Sequence, residues 1–230
     1  MANRLADKFL VRKLAAQKLL AHSRLAGRRA AGKLLWSSAA AIALVLGSSV
    51  NAPGMADAVD LGRSQAVLTK QSALQQGRAV VSGDNGQYTG RILVNAPIST
   101  VWAVLTDYNN FGRFMPNVDS SRLLRSNGNQ HVFEQINVVH VFPITHRTEV
   151  VIATSESYPN QISFQAIDGD IESLQGSWQL SQVSSSQVMI THNVAVDPGS
   201  SNRNLFFSLY RSGLQDTLTA LKRESERRSR

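Results

Sequence analysis

Polar and apolar residues follow three rhythms along this chain. The clearest begins at Gly86. Gln87 to Val94 (QYTGRILV) alternates around Tyr88, Ile92 and Val94 and predicts a strand, which Asn95-Ala96-Pro97 ends because proline has no N–H for the ladder. Ser99 stands where a helix cap belongs, and Val101, Trp102, Val104 and Leu105 have helical spacing. A second short helical turn, Tyr108 to Met115, ends at Pro116. Strand-like segments then follow one another: Ser121–Arg125, His131–Phe142, Thr145–Glu156, Gln161–Ile167, Glu172–Val183 and Gln187–Val196. Asn127-Gly128, Pro143, Tyr158-Pro159-Asn160, Asp168-Gly169-Asp170, Ser184-Ser185-Ser186 and Asp197-Pro198-Gly199 punctuate them, the mark of an antiparallel meander. The rhythm then turns helical. Leu205, Leu209, Tyr210, Leu214, Leu218 and Leu221 form an apolar stripe on Asn202–Arg228, a helix roughly 40 Å long that Ser201 can cap.

A curved sheet buries one face, and only the last helix is long enough to cover it. The expected fold is therefore α+β, a helix-grip arrangement: a curved antiparallel sheet wrapped around a long C-terminal helix, with two short helices after the first strand. A single helix fills such a space incompletely, so a cavity is expected beneath it. Residues 59–84 read as a peripheral N-terminal extension. There Gln65–Gln76 is a weak helix at most, Gly77 breaks it, and Arg78–Val81 is a short strand.

The remaining rhythm is the most apolar stretch of the chain, residues 34–50 (LLWSSAAAIALVLGSSV), behind a basic stretch that ends at Lys33. Its core from Ala39 to Gly47 has the length of a signal-peptide h-region and is short of the ~20 residues that a spanning helix needs. Ala56-x-Ala58 is a small-x-small cleavage signature, so residues 1–58 read as a leader cut after Ala58. The domain from 85 to 228 would be exported to a periplasm or thylakoid-lumen type compartment. A membrane anchor through 34–50 is the alternative. Arg28-Arg29 fits a twin-arginine signal poorly, because Ala30-Ala31-Gly32-Lys33 follows it.

Charge changes meaning once it is divided along the chain. The 230 residues carry 24 Lys+Arg and 16 Asp+Glu, a net +8 that suggests a polyanion partner. Nine basic residues and two acids fall in 1–58, which leaves 15 and 14 beyond it, so the domain itself is near neutral. Nucleic acid is therefore not an expected partner. The basic end of the chain, Lys222–Arg230, reads as a solvated helix terminus whose cations suit the dipole. There is no cysteine, which excludes disulfides, thiolate nucleophiles and Cys-held metal sites.

Chemistry-bearing residues are sparse. By parity Leu174, Gly176, Trp178 and Leu180 share one face, and Val188, Ile190, His192, Val194 and Val196 share another. Gly176 removes bulk from that inward face and allows a bend, while His192 lies among apolar neighbours. It is either a core histidine satisfied by a hydrogen bond or a polar anchor for a ligand carbonyl or hydroxyl. Glu134 and His140 share a face but stand roughly 20 Å apart along their strand, and His146 and Glu149 face opposite ways. No pair among these and His131 has in-strand spacing for a metal site or an acid–base dyad. No metal, cofactor or catalytic residue is expected. The aromatic residues say more: Trp102, Phe111, Phe114, Phe133, Phe142, Phe164, Trp178, Phe206, Phe207 and Tyr210 occupy every element around the expected cavity. Most are ordinary core. As a ligand wall, the set is Trp102, Phe111, Phe114, Met115, Phe133, Phe164, Trp178, His192, Phe206, Tyr210 and Leu214, with Phe111, Phe114 and Met115 at the entrance.

Two stretches resemble a known family. One is Ala96-Pro97-x-x-x-Val101-Trp102-x-x-Leu105-x-Asp107-Tyr108-x-x-Phe111-x-x-Phe114-Met115-Pro116-Asn117. The other is Ile162-x-Phe164, Gly169-Asp170 and Leu174-x-Gly176-x-Trp178-x-Leu180. Together they resemble the START-like, polyketide cyclase/dehydrase superfamily (SRPBCC, Bet v 1-like) over residues 85–227, and most of all its coenzyme Q-binding protein branch. The resemblance implies a cavity under the C-terminal helix that takes lipids, isoprenoid quinones, sterols or polyketides. The expected function is non-enzymatic binding or transport of a hydrophobic small molecule, with transient contact at a membrane surface. A cyclase or dehydratase acting on a polyketide-like or polycyclic substrate is the alternative, and a protein-interaction module the second.

Overall fold

The computed structural model describes residues 56–141, 143–199 and 203–230. The leader up to residue 55, Phe142 and the capping position Ser201 lie outside the described residues. The chain divides into two compact units, Met1–Gly54 and Met55–Arg230.

The second unit begins with α1 (Ala56–Gln75), which is longer than the weak helix expected over Gln65–Gln76. Its side chains from 65 to 72 are exposed, so no apolar stripe marks that stretch, while Ala73 and Leu74 near its end are half-buried. Gly77, at φ +69°, closes the helix, and Arg78 N donates to the Ala73 carbonyl.

Eight strands come next: β1 (Val80–Asp84), β2 (Gln87–Val94), β3 (Val118–Asn127), β4 (Gln130–Val141), β5 (Ile144–Ser157), β6 (Gln161–Gly169), β7 (Ser173–Ser184) and β8 (Gln187–Asp197). They form one antiparallel sheet in the order β1-β2-β8-β7-β6-β5-β4-β3. Asn85 and Gly86, both at positive φ, make the two-residue turn between β1 and β2. Gly128-Asn129 turns β3 into β4, one residue later than the expected Asn127-Gly128. Register shifts in β3, β6 and β7 insert extra residues that bend the sheet.

Between β2 and β3 lie α2 (Ile98–Leu105) and a single 3-10 turn, Phe111–Arg113. Ser99 is not the cap of α2. The helix starts one residue earlier, and the extended Pro97 takes the cap position; its carbonyl accepts bonds from Thr100 N and Val101 N. The chain ends in α3 (Arg203–Arg228).

α3 lies along β2. Tyr88 Oη donates to the Phe207 carbonyl (3.3 Å), Arg211 donates to the Val81 and Gly83 carbonyls, and Lys222 Nζ donates to the Leu93 carbonyl (3.0 Å). Gly90 sets the distance of approach: a Cβ there would stand 2.6 Å from Leu218 Cδ1. Ile92, Val188, Ile190, Leu218 and Leu221 fill the ground beneath the helix and are fully buried. The space expected to stay open directly under α3 is thus packed. A second core, made of Tyr108, Phe111, Phe133, Val150 and Ile152, occupies the other half of the sheet.

The far end of α3 is not a solvated tail. Glu224 is buried and takes both guanidinium groups of Arg227 and Arg228; Arg228 also reaches Asp107 at 2.7 Å and lies 5.6 Å from the centre of the Phe114 ring. Lys222 pairs with Glu226, which also accepts from Asn95 N. The charges at the chain end therefore fasten the helix to the loops around it.

Candidate functional site

The floor of the site is set by strand parity. On β8 Val188, Ile190, His192, Val194 and Val196 alternate inward and are all buried, as their spacing predicts. In register with them are Gly176 on β7, opposite Val194, and Trp178, opposite His192. A Cβ on Gly176 would meet the Asn193 carbonyl oxygen at 2.1 Å and Phe164 Cζ at 2.7 Å. The missing side chain is what lets the Phe164 ring lie across β7.

His192 is packed between rings, with Trp178 stacked at 3.6 Å and Phe164 at 5.4 Å. Burial pushes its pKa down to about 3, against a backbone hydrogen bond with Ser177 that raises it, so the ring is neutral at pH 7. Its Nδ1 is buried and has no hydrogen-bond partner.

Five apolar residues belong to both cores and are fully buried in neither: Phe114, Met115, Phe164, Ile171 and Leu174. They form a seam between the helix-covered half of the sheet and the rest. Trp178, Phe206 and Tyr210, also half-buried, flank it from the first core. Tyr88, Tyr210 and Phe206 stack in sequence at 5.8 and 5.7 Å, an aromatic rail along the start of α3. Burial raises the Tyr210 hydroxyl pKa above its ordinary value, so it stays protonated.

The expected ligand wall thus divides. Phe114, Met115 and Phe164 lie in the seam, with Trp178, Phe206 and Tyr210 beside it and His192 beneath Phe164 and Trp178. Trp102 and Leu214 are packed within the first core, and Phe111 and Phe133 within the second. A depression of ≈ 570 Å³ is lined by Tyr88, Phe164, Gly176 and Val194 together with Thr89, Gln165, Gln175 and Asn193. A smaller one, ≈ 370 Å³, lies between Gly112–Pro116 and α3.

One polar set escapes in-strand reasoning. In the second core Tyr108 Oη donates to Glu156 Oε1 (2.7 Å) and lies 3.2 Å from Thr154 Oγ1, while His131 Nε2 stands 3.3 Å from the same Glu156 oxygen. Burial, foremost, raises the pKa of the Tyr108 hydroxyl. Of the other candidates, half-buried Glu134 pairs with exposed Arg122, and exposed His140 with Thr145. Among the described residues no three His, Asp or Glu side chains converge as metal ligands.

A wide antiparallel sheet gripping one long C-terminal helix defines the START/Bet v 1-like class. The chain belongs to the family described as polyketide cyclase / dehydrase and lipid transport, whose model matches residues 94–220. Solved structures agree on the fold. A STAR-related lipid transfer protein from Xanthomonas axonopodis superposes with a TM-score of 0.55 at 21% identity, covering 64% of this chain and 92% of its own. A Thermus thermophilus protein gives 0.52 at 14%, over 61% and 94%. The Zhui aromatase/cyclase of a Streptomyces species gives 0.50 at 16%, over 66% and 96%. No curated protein matches the sequence.

Proposed function

We propose that this protein binds and carries a hydrophobic small molecule, an isoprenoid, quinone, pigment or lipid, without changing it chemically. The observation that carries this reading is the seam. Five apolar side chains bridge two cores and are only partly buried, and together they form a contiguous apolar strip of the kind that ligand sites use. A ligand lying along it would be walled by Phe114, Met115, Phe164, Trp178, Phe206 and Tyr210, with the unpartnered His192 nitrogen at its floor. The coenzyme Q-binding branch, which the motifs resemble most, points to a quinone-like ligand. The test is to isolate the full chain from its own cells, extract it with organic solvent and analyse the extract by mass spectrometry. Recovery of one apolar compound in stoichiometric amount is expected. Repeated recovery of none, together with failure to bind the neutral dye Nile red, would refute the reading.

Export belongs to the same proposal. A leader cut after Ala58 would leave a mature chain starting at Val59, inside the first turn of α1, and N-terminal sequencing of the cellular protein tests it. Among the described residues no helix is long and apolar enough to cross a membrane. Exposed Leu205 and Leu209, one turn apart on α3, support transient contact with a membrane surface from which an apolar ligand would be collected.

A cyclase or dehydratase draws support from the Tyr108, Glu156 and His131 set, which holds a donor, a carboxylate and an imidazole within hydrogen-bond reach of one oxygen. Glu156→Gln would abolish turnover in that reading and leave binding intact in the first.

A further inference from the structure

We infer that the ligand is a singly charged anionic amphiphile, whose acidic head rests in the depression between the Phe111–Met115 segment and α3 while its tail enters the seam. This rests on the hydrophobic-ligand reading and narrows it.

The depression has a volume of ≈ 370 Å³, enough for a carboxylate or phosphodiester head. Two arginines line it from opposite sides, Arg113 at the end of the 3-10 turn and Arg223 on α3. Both are exposed, and among the described residues neither has a carboxylate partner. Arg122, Arg147, Arg203, Arg227 and Arg228 are paired with carboxylates, whereas Arg78, Arg91, Arg125, Arg211 and Arg230 are not; what singles out Arg113 and Arg223 is that both line one depression. Asp216, on the α3 side, is also unpaired. Two guanidinium groups and one carboxylate leave a surplus of one positive charge, which matches a single negative charge better than a double one. Guanidinium groups are weakly hydrated forks suited to carboxylate and phosphate oxygens.

Part of the lining of the same depression is apolar. Phe114 and Met115 line it and are also seam residues, so one pair of side chains touches both spaces. A head held by Arg113 and Arg223 would therefore release its tail directly past Phe114 and Met115. A neutral isoprenoid would use the seam alone and leave both arginines idle.

The test measures binding of oleate and of its neutral counterpart, oleyl alcohol, to the full chain by displacement of Nile red. Arg113→Gln with Arg223→Gln should weaken oleate about ten-fold and oleyl alcohol less than about two-fold. Asp216→Asn should change oleate in the opposite direction, tightening it about two- to three-fold. The substituted side chains have no protein partner to lose, so an unchanged thermal midpoint is expected and separates lost binding from lost folding. Raising salt from about 0.05 to 0.5 M should weaken oleate selectively. Equal losses for both probes, or none for either, would overturn the inference and leave the hydrophobic-ligand reading standing. Retention on phosphatidylglycerol vesicles without displacement of dye by oleate would also overturn it, in favour of surface attachment. Failure of both probes and the dye to bind would remove the underlying reading and this one with it.

Discussion

Glu224→Gln isolates the charge that fastens the end of α3. Glu224 is only 8% exposed, yet its pKa falls from 4.5 to about 2, chiefly through the hydrogen bonds from Arg227 and then through Arg228; burial opposes the fall. At about 1.4 kcal/mol per pH unit the displacement corresponds to roughly 3 kcal/mol. The Arg227 side chain is 69% exposed and therefore screened, which reduces the expected contribution to about 2 kcal/mol. The folded pKa is depressed, so this stability is fully present above pH 4.5 and is lost as pH falls toward 2. Glutamine keeps an oxygen that accepts a guanidinium bond but carries no charge. Urea denaturation at pH 7 should show the variant less stable by about 2 kcal/mol, and the gap should close by pH 2. Other acid-labile groups are common to both proteins and cancel in the difference. A gap unchanged from pH 7 to pH 2 would mean that shape rather than charge is at work; no gap at pH 7 would refute the reasoning altogether.

Three other outcomes are set by the interior. Gly176→Val places atoms against the Asn193 carbonyl and the Phe164 ring, and should cost about 2–4 kcal/mol in thermal melting, with a changed near-UV aromatic spectrum. His192→Leu should remove a pH dependence: the wild-type imidazole is neutral when folded but takes up a proton when unfolded, so stability falls from pH 6.5 toward 3 by up to about 1.4 kcal/mol per unit, a slope that the variant loses. Tyr108→Phe leaves Thr154 and Glu156 without their phenol partner and should cost about 1–2 kcal/mol in urea unfolding.

The fold is legible in the sequence because its sheet has one wet and one buried face. Gln87–Val94 is bounded as the alternation predicts, and the other strand ends differ by a few residues at most, since parity is repeated at every step. α1 is largely hidden because its side chains from 65 to 72 are exposed and leave no apolar stripe. Ser99 misleads because a serine at a helix start is ordinarily the cap, whereas here the pre-organised Pro97 opens the turn. Asn85-Gly86 and Asn127-Gly128 are the same hairpin dipeptide; the first forms the turn itself, whereas in the second Asn127 still belongs to β3 and the turn falls on Gly128-Asn129. In the site, His192 and the β7 and β8 faces follow from parity alone. The proximity of His131 and Glu156 needs register. Opposed residues of β4 and β5 have numbers that add to 285, the consequence of a two-residue connection at 142–143. A tight hairpin at Pro143 places His131 opposite Thr154, with Glu156 diagonal to it. The role of Lys222–Arg230 depends on contacts with Asp107 and Asn95, more than a hundred residues away, which no local pattern encodes.

The seam itself is a matter of widths. Eight strands at about 4.8 Å span well over 30 Å, while a helix with its side chains is about 10–12 Å across. One helix therefore covers two or three strands: α3 lies on β1 and β2, and α2, packed beside it, reaches β8. Cover for the far half must come from elsewhere, and the Tyr108–Met115 segment supplies it with Tyr108, Phe111 and Phe114. Between the two covers runs the strip where Phe164, Ile171 and Leu174 stand half-buried, with Phe114 and Met115 of the covering segment packed beside them. Larger side chains could close that strip, but Gly176 lies beneath Phe164 and keeps the floor low. Apolar surface left open in this way is stabilised by whatever covers it, so an apolar ligand that lies along the seam must raise the unfolding temperature in proportion to the logarithm of its concentration over its dissociation constant.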